Sequence, residues 1–377
     1  MHVSFFHLMP WTYLDQPPRE WPAPNGMFDP VKGKALYDDY IDTLAFAEQC
    51  GFDWAGCNEH HFSPYGLMAN CNMVGSALTQ RTDTIKLAML GNLVPLLNPI
   101  RVAEEYAMLD VMSGGRLVAG FIRGVAHEYI AYNQNPDESR ERLREAIALI
   151  MKAWTEPEPF GWEGEYYQYP SVSIWPRPYQ QPHPKILLSA SNEESAEFAG
   201  LHARYKPMVG MTLIANLDVA ARCLDTFRRV SRANGFDPTA DDILIGHQTC
   251  IADSDEEARE LMRKGLDYFN VMLMQSLRDA QRLVIAKSRF FSNEQQSQGF
   301  VNKLQQLRQT PVEELIEAGS ILCGSPETVV AQVKRIKAKL GHGHIQMNMK
   351  IGDMPDAAIR RGMELYRDRV KPQLEDL

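Results

Sequence analysis

Apolar and polar positions follow two recurring patterns along the chain. Short apolar runs are typical of buried strands, and stretches whose apolar residues recur every three or four positions are typical of amphipathic helices. The apolar runs are Val3–Leu8, Phe52–Asn58, Ile85–Val94, Arg116–Ile122, Lys185–Ala190, Lys206–Leu213, Ile243–Ile251 and Ile345–Ile351. The helical stretches include Lys34–Cys50, Arg101–Met112, Ser139–Thr155, a helix from about Asn192, Asp218–Ala233 and Asp356–Val370. This alternation, with no break in composition, predicts an α/β fold with one (β/α)8 TIM barrel over residues 1–377.

Two segments interrupt the alternation. Pro10–Pro30 is rich in proline and contains Trp11 and Trp21, and no strand is predicted between the seventh and eighth apolar runs, where Ser288–Phe300 is strongly polar. In a barrel both segments follow strands and therefore lie at the C-terminal rim, where barrel enzymes carry their sites. We expect an extended rim loop over residues 10–30 and, in the long insertion between strands seven and eight, a mobile lid over about residues 288–312.

Composition restricts the classes of function. The 377 residues are 45% hydrophobic and 23% charged, with a formal net charge of -9, which is typical of a globular protein. The negative charge and the lack of a basic cluster argue against a nucleic-acid surface. No apolar run approaches the roughly 20 residues that a membrane-spanning helix needs. Residues 1–11 lack the charged and apolar regions of a signal peptide, so we expect none.

The cysteines are scattered and never occur in CxxC spacing. They are Cys50, Cys57, Cys71, Cys223, Cys250 and Cys323. This arrangement favours free, buried thiols in a reducing compartment and predicts a cytoplasmic protein.

Polar residues and glycines gather where the predicted strands end. Glu59, His60 and His61 follow the second strand, Gly91 and Asn92 lie late in the third, Arg123 follows the fourth, and Ser189–Asn192 joins the fifth to its helix. Because the C-terminal ends of barrel strands lie at one face, we expect these positions to converge there.

Each of these positions also has a plain structural interpretation. A carboxylate beside a histidine is commonly a hydrogen-bonded turn, and Ser189, Ser191 or Asn192 could cap the helix that follows. Arg123 could pair with a surface carboxylate, and Gly91 could mark a strand bulge. The same helix N-terminus could equally bind a phosphate, to which Arg123 could add a charge-assisted hydrogen bond.

Other catalytic classes fit the sequence poorly. The HxH motif His342-Gly343-His344 precedes the eighth strand and therefore lies at the opposite, N-terminal face of the barrel. Strand one offers a single histidine, His7, so the pair of strand-one ligands found in barrel metallohydrolases is missing. We predict no catalytic metal. The chain lacks a GxSxG nucleophile elbow, a GxGxxG dinucleotide loop and a GKS/T phosphate loop.

Several long motifs resemble one known family. They are NEHHFSPYGL (Asn58–Leu67), LGNLVPLLNPIRVAEEYAMLDVMSGGR (Leu90–Arg116), GFIRGVAHEYIAYNQNPDESRER (Gly120–Arg142) and LCGSPETVVAQV (Leu322–Val333). Together they resemble the bacterial luciferase-like flavin-dependent monooxygenases, in order and over nearly the whole chain. The resemblance implies a (β/α)8 barrel that binds FMN, usually reduced, at the C-terminal rim. It also implies a C4a-(hydro)peroxyflavin that inserts oxygen into an organic substrate.

The resemblance assigns roles to individual residues. It implies that His60 is the active-site histidine, preceded by Glu59, and that Leu90-Gly91-Asn92 forms a strand-three bulge under the isoalloxazine, often with a non-prolyl cis peptide. It implies that Arg123 and Arg140 bind the flavin phosphate. Further implied cofactor contacts are Glu128, at an acidic rim position, and Ala190, Ser191 and Asn192.

The segment around Ser191 departs from the family pattern. Relatives carry a glycine-rich turn there, whereas this chain has Ser189-Ala190-Ser191-Asn192-Glu193-Glu194-Ser195. Fewer glycines restrict how closely the backbone can wrap a phosphate. Side-chain donors on Ser191 and Asn192 could compensate, while Glu193 and Glu194 place negative charge beside the anion.

The function implied by the resemblance is a two-component monooxygenase. It would use reduced FMN from a separate NAD(P)H:flavin reductase, and O2, to oxygenate a small apolar organic compound. The alternatives are a deazaflavin (F420)-dependent oxidoreductase of the same superfamily and a flavin-binding protein without turnover. Members of the family imply a homo-oligomer, a dimer or a tetramer. Aromatic residues of the predicted rim loops either line the substrate site or pack the loops, namely Trp11, Tyr13, Trp21, Phe28 and Trp175.

Overall fold

The computed structural model describes residues 1–212, 214, 216–274, 310–375 and 377. The predicted lid over about residues 288–312 lies outside the described residues except for its last three positions.

Eight parallel strands form a closed barrel, which confirms the predicted fold class. The strands β1 to β11 in chain order are His2–His7, Trp54–Cys57, Lys86–Leu93, Leu117–Ile122, Phe160–Glu163, Gln168–Val172, Lys185–Ser189, Met208–Met211, Ile243–Ile251, Ile321–Gly324 and His344–Lys350. The barrel order is β1-β2-β3-β4-β7-β8-β9-β11, and β11 pairs with β1 to close the ring. All neighbouring strands of the ring are parallel, so their C-terminal ends lie at one rim.

Helices cover the outside of the barrel. Helices α1 to α11 in chain order are Pro30–Gln49, Cys71–Thr79, Pro99–Met112, Ala126–Ala131, Ser139–Thr155, Glu193–Leu201, Leu217–Ala233, Asp255–Asp267, Val312–Glu317, Pro326–Leu340 and Asp356–Leu365. Polar caps fix where several of them begin. Asp29, Asn70 and Asn98 each accept two backbone N–H bonds at the start of α1, α2 and α3. None of the described helices is both long and apolar enough to cross a membrane.

The apolar core has one part outside the barrel and one inside it. The large outer part fills the space between strands and helices. The inner part packs Trp54, Ala88, Val118, Leu187, Met208 and Leu244 in the lower barrel. Because these side chains fill the interior near the N-terminal ends of the strands, open space in the barrel is confined to the C-terminal half. The six cysteines are buried and unbridged, as predicted.

The structure contains elements that the sequence pattern missed. An antiparallel hairpin of β5 and β6 lies between α5 and β7, where Glu145 of α5 accepts hydrogen bonds from Trp162 Nε1 and the Tyr167 N–H. The segment between β9 and β11 was predicted to lack a strand, and this was wrong. It contains β10, together with α8, α9 and α10.

Strand β10 widens the barrel at one point. At Gln248 of β9, both Asn348 of β11 and Ile321 of β10 are register partners, so β10 lies on the edge of β9 away from β11. The same edge pairs with β8 earlier, at Ile243–Ile245. Since β10 takes over after β8 ends, β8 and β9 diverge towards the rim and the barrel opens between them.

Candidate active site

One cavity of about 460 Å³ opens at the C-terminal rim of the barrel. Its walls come from the ends of most barrel strands, including His60 after β2, Leu90 of β3, Arg123 after β4 and Ser191 after β7. Leu187 and Leu244 belong to the inner core and form its floor. The volume is within the range of sites for small molecules and cofactors.

His60 is held by two neighbours through one ring nitrogen. Its Nδ1 lies 2.9 Å from Glu128 Oε1 and 2.7 Å from the hydroxyl of Tyr65. Glu128 and Tyr65 are buried, whereas the His60 side chain is 20% exposed and lines the cavity. A carboxylate accepts hydrogen bonds, so Nδ1 carries the proton of the pair. Nε2 is therefore the ring nitrogen left for a ligand.

Glu128 is a buried carboxylate that its surroundings keep ionised. Burial by itself raises the pKa of Glu128, but the hydrogen bond and charge of His60 and the Val125 N–H, which donates to Oε2 at 2.7 Å, bring the pKa below its ordinary value. His127, which also lines the cavity, behaves differently, because burial lowers the pKa of its imidazole to about 4. A neutral His127 and a charged Glu128 thus stand beside His60 at neutral pH.

Glu59 belongs to a second pair behind the cavity wall. Its Oε1 lies 3.0 Å from Nε2 of His61, whose Nδ1 is 3.4 Å from the Tyr132 hydroxyl. Burial raises the pKa of Glu59, and the hydrogen bond from His61 opposes that rise. Glu59 is 3% exposed and is not among the described residues that line the cavity. Its side chain meets His61 rather than the space beside His60.

One end of the cavity is suited to an anion. Arg123 and Arg140 line it together with Ser189, Ser191, Asn192 and Ser195 at the start of α6. Burial and the nearby charge of Arg123 lower the pKa of Arg140, so the two guanidinium groups share one region. Two positive charges, several hydroxyl groups and a helix N-terminus favour the binding of a phosphate.

Asn192 is both a helix cap and a cavity residue. Its side chain accepts the Ser195 N–H at 2.8 Å, and its own N–H donates to the Ser195 hydroxyl at 3.1 Å. Ser189 and Ser191 join their hydroxyl groups at 2.7 Å. The capping interpretation and the proposed anion contact therefore fall on the same residue, because a cap leaves neighbouring backbone N–H groups available.

Acidic residues of α6 stand beside this end. Arg140 donates a hydrogen bond to Glu194, while Glu193 pairs with Arg222, whose Nε lies 3.6 Å from Glu193 Oε1. An anionic ligand must therefore compete with Glu194 for Arg140.

Strand β3 departs from regular pairing where it borders the cavity. The Leu90–Gly91 peptide is cis, and the register with β4 shifts between Met89 and Asn92. A Cβ atom at Gly91 would lie 2.3 Å from the Met89 carbonyl oxygen, so only glycine fits there. Asn92 turns outward, where its side chain hydrogen-bonds Asn72 at 3.2 Å. The cis peptide expected for this bulge is present.

The structure brings together part of the predicted site. Six of the predicted residues line the cavity, namely His60, Leu90, Arg123, Arg140, Ser191 and Asn192. Five lie behind its wall among the described residues, namely Glu59, Gly91, Asn92, Glu128 and Ala190. Of these five, Glu128 hydrogen-bonds the lining residue His60, and the Ala190 N–H donates to the carbonyl oxygen of the lining residue Gly210.

The sequence interpretation missed several lining residues. They are Tyr65, His127, His247, Asn58, Gln346 and Asn348. A signal for the last two exists, because Ile345–Lys350 alternates apolar with polar residues, and alternate residues of a strand share one face. None of the five rim-loop aromatics is among the described lining residues. Trp11 packs on Phe28 with ring centroids 4.7 Å apart, and Trp21 contacts the lining residue His127, with ring centroids 5.9 Å apart. Trp175 is 88% exposed and does neither.

The described residues contain one group with ligand atoms close enough for a metal ion. His2, Asp241 and His344 place these atoms within 4.8 Å of one another. His2 and His344 begin β1 and β11, so the group lies at the N-terminal face of the barrel, away from the cavity. His2 and Asp241 are exposed. The group has no part in the rim chemistry.

Comparisons with known proteins agree with this fold. A family model described as luciferase-like monooxygenase matches residues 22–343. The uncharacterized protein y4wF of Sinorhizobium fredii (strain NBRC 101917 / NGR234) is 33% identical over 209 residues, which are 54% of this chain and 59% of that protein. The oxygenase component of a flavin-dependent trigonelline monooxygenase from Acinetobacter baylyi is 28% identical over 235 residues, 60% of this chain and 62% of that protein. The matches thus span about three fifths of these relatives.

Solved structures are similar over nearly the whole chain. Monooxygenase RslO1 from Streptomyces bottropensis has a TM-score of 0.75 at 25% identity and 99% coverage of both chains. The oxygenating constituent of 3,6-diketocamphane monooxygenase from Pseudomonas putida, in complex with FMN, has a TM-score of 0.74 at 20% identity, with 99% and 98% coverage. An F420-dependent secondary alcohol dehydrogenase with an F420-acetone adduct has a TM-score of 0.70 at 15% identity, with 100% and 99% coverage.

Proposed function

The chain belongs to the luciferase-like monooxygenase family, and from this premise we propose that it is an FMN-dependent monooxygenase. In this proposal reduced FMN comes from a separate reductase, and O2 supplies the oxygen atom that enters a small organic substrate. The observation that carries it is one cavity that joins an end suited to an anion, at Arg123 and Arg140, to His60, which the buried Glu128 orients.

The residues present fit a flavin mononucleotide. The anion end offers two guanidinium groups and the N-terminus of α6 for a phosphate. At the β3–β4 edge, Cβ atoms at Gly91 and Gly120 would lie 2.3 and 2.2 Å from the Met89 carbonyl oxygen, so both positions, which lie behind the wall next to the lining residues Leu90 and Phe121, require glycine. The apolar residues Phe6 and Leu90 line the cavity itself. A phosphate end and an apolar wall suit a phosphorylated tricyclic ring.

In this proposal the chain itself binds the phosphate, shields the ring from water and controls one proton. Arg123, Arg140, Ser191 and Asn192 would hold the phosphate. Bound reduced flavin would supply the activation of O2. His60, oriented by Glu128, would donate or accept a proton at Nε2, because Nδ1 is already engaged. The apolar floor at Leu187 and Leu244 would keep bulk water from the reacting atoms.

The test combines binding with isotope incorporation. The purified protein is titrated with FMN and riboflavin, then mixed with photoreduced FMN, a panel of cyclic and aromatic compounds and 18O2. We expect FMN to bind at least about tenfold more tightly than riboflavin, as a charge-assisted phosphate contact implies. We also expect one 18O atom in a product. Failure to bind FMN, or products without 18O, would contradict the proposal.

The F420-dependent alternative rests on the similarity to the F420-dependent dehydrogenase. It predicts hydride transfer between reduced or oxidised F420 and a substrate without oxygen uptake. The isotope experiment distinguishes the two, since hydride transfer leaves no 18O in the product. A flavin-binding protein without turnover would bind FMN and yield no product in either assay.

Two partner predictions accompany the proposal. The relative from Acinetobacter baylyi is the oxygenase component of its system, which supports a separate reductase for this chain. A homo-oligomer, dimer or tetramer, stays a prediction that analytical ultracentrifugation of the purified protein would test.

A further inference from the structure

Three amide side chains in the cavity wall carry polar atoms without a hydrogen-bond partner among the described residues. These are both side-chain polar atoms of Asn58, Oε1 of Gln346 and Oδ1 of Asn348. The three residues, called the amide sector below, are 4%, 2% and 9% exposed. An unsatisfied buried polar group costs about 1–3 kcal/mol, so several together at one cavity indicate a ligand that satisfies them.

Strand register places the amide sector in one part of the barrel. Phe6 of β1 pairs with Gly56 of β2 and with Asn348 of β11. Asn58 is two residues beyond Gly56, and Gln346 is two residues before Asn348, so all three project on the inner face of β2 and β11. The amide sector therefore flanks β1.

The amide sector lies across the barrel from the arginines. Going around the ring from β1, the order is β2, β3, β4 and β7, so β7 is diametrically opposite β1. Arg123 follows β4 and Ser191 follows β7. Leu90 of β3 and His60 after β2 lie between the two regions. A cofactor bound through its phosphate at Arg123 and covering Leu90 leaves the amide sector for the substrate.

The charge of the amide sector selects the class of group it binds. Arg123 and Arg140 are the only lysine, arginine, aspartate or glutamate residues among the described lining residues, and both belong to the anion end. Burial lowers the pKa of His247, on the nearby strand β9, to about 4, so that imidazole is neutral at neutral pH. An ionic group would be buried without a counter-ion and is disfavoured.

Space beside Gln346 is kept by a glycine. A Cβ atom at Gly246 would lie 2.8 Å from Thr212 Cγ2 and 3.4 Å from Gln346 Nε2. The cavity reaches this level, because Gly246, Thr212 and Gln346 all line it. A ligand group can therefore approach the amide sector as well as the rim.

We propose that the amide sector binds the substrate of the proposed monooxygenase, and that this substrate is a neutral carbonyl compound with an adjacent N–H or O–H, such as a lactam. This inference rests on the proposed function and deepens it. The amide oxygens accept the N–H or O–H, and the Asn58 amide nitrogen donates to the carbonyl oxygen. Apolar neighbours Phe6 and Leu90 contact the rest of the molecule.

A matched pair of probes tests this class. 3,4-Dihydroquinolin-2-one and 2-tetralone share their fused rings and carbonyl group, and differ in having N–H or CH2 beside the carbonyl. Calorimetry is done on protein loaded with oxidised FMN, so that no turnover occurs. We expect the lactam to bind at least about tenfold more tightly than the ketone, the factor for about 1.4 kcal/mol. Equal affinities for the two probes overturn the proposal.

Near-isosteric variants locate the preference. Asn58→Leu, Gln346→Met and Asn348→Leu remove the polar atoms with little change in volume. We expect each folded variant to lose most of the lactam preference while FMN affinity stays within about twofold of the unchanged protein. Thermal unfolding identifies variants that fail to fold, and the remaining ones carry the test. A preference that persists in every folded variant overturns the proposal.

Two further outcomes separate this inference from the proposed function. If the variants lose FMN affinity in parallel, the amide sector binds the flavin, and the substrate assignment is wrong. If the lactam preference depends on the amide sector but 18O2 gives no labelled product, the binding assignment stands and the monooxygenase proposal fails.

Discussion

Nδ1 of His60 lies 2.9 Å from Oε1 of Glu128, which is 68 positions later in the chain and fully buried. The carboxylate fixes which ring nitrogen carries the proton and leaves Nε2 for a ligand. Glu128 Oε2 accepts the Val125 N–H at 2.7 Å, so both carboxylate oxygens are engaged. The two side chains therefore form one unit, in which Glu128 is a positioning residue for His60.

We predict that Glu128→Gln lowers kcat by roughly 10- to 100-fold with little change in FMN affinity. The amide of glutamine has one oxygen for two donors, the His60 ring and the Val125 N–H, so the imidazole loses its fixed orientation and its charged partner.

His60→Ala is expected to preserve the fold and uncouple oxygen uptake from product formation. The double variant should be no slower than His60→Ala alone, because the two residues act together.

Glu59→Gln is the matched variant for this experiment. It changes a buried carboxylate in the same way, but at a residue that contacts His61. We expect its main effect on thermal stability. A kcat loss equal to that of Glu128→Gln would instead support the catalytic role predicted for Glu59 from the sequence. If the kcat losses of His60→Ala and Glu128→Gln add in the double variant, the two residues act independently, and Glu128 is not a positioning residue for His60.

Arg123→Ala should weaken FMN binding by about tenfold or more and leave riboflavin binding nearly unchanged. The charge-assisted bond between Arg123 and a phosphate is worth about 1.5–3 kcal/mol. Riboflavin has no phosphate, so it cannot make this bond and should not be affected by its loss. Fluorescence titration with both flavins measures the two affinities on the same variant. Equal losses for FMN and riboflavin would remove Arg123 from the phosphate site.

Glu194→Gln should strengthen FMN binding by about two- to fivefold. Glu194 accepts a hydrogen bond from Arg140, so its carboxylate competes with a phosphate and repels it. Pairs at partly exposed sites are worth about 0.4–1 kcal/mol, which sets the expected factor. Glu193→Gln is the control, since Glu193 lies beside Arg222. The same gain in both variants would indicate a general charge effect.

Local pattern was sufficient to predict the barrel, because each ring strand is an apolar run between helical stretches. It was insufficient for β10 (Ile321–Gly324), because this strand lies outside the ring of eight, and the regular alternation of strands and helices has no place for it. The hairpin Phe160–Val172 was missed because its aromatic and charged residues face a half-exposed surface.

The candidate site was predictable in position and less so in detail. The ends of the predicted strands located His60 and Arg123. They did not indicate that His60, rather than its neighbour Glu59, would face the cavity. That choice depends on the backbone after β2, where Phe62 has a φ of 53°, and on where α4 places Glu128. Such contacts join residues that are distant in sequence, and local periodicity carries no information about them.

The last prediction concerns acid stability. Burial lowers the pKa of seven described histidines: to about 3 for His342, to about 4 for His7, His127, His247 and His344, and below the ordinary value for His183 and His202. Their pKa in the unfolded chain is near 6.5, so between about pH 6.5 and 4 the unfolded chain binds more protons than the folded protein. The free energy of unfolding must therefore fall as the pH is lowered through this window.

His342 offers the sharpest test, because it is fully buried and both ring nitrogens lack a partner among the described residues. We predict that His342→Leu reduces the pH dependence of the free energy of unfolding between pH 6.5 and 4.5 by about 1.4 kcal/mol per pH unit, the contribution of one proton. Urea unfolding at several pH values measures this slope. Leu340→Ala, at a buried apolar residue nearby, should lower stability equally at each pH and leave the slope unchanged. Equal slopes in His342→Leu and the unchanged protein would mean that His342 does not take up a proton on unfolding in this range.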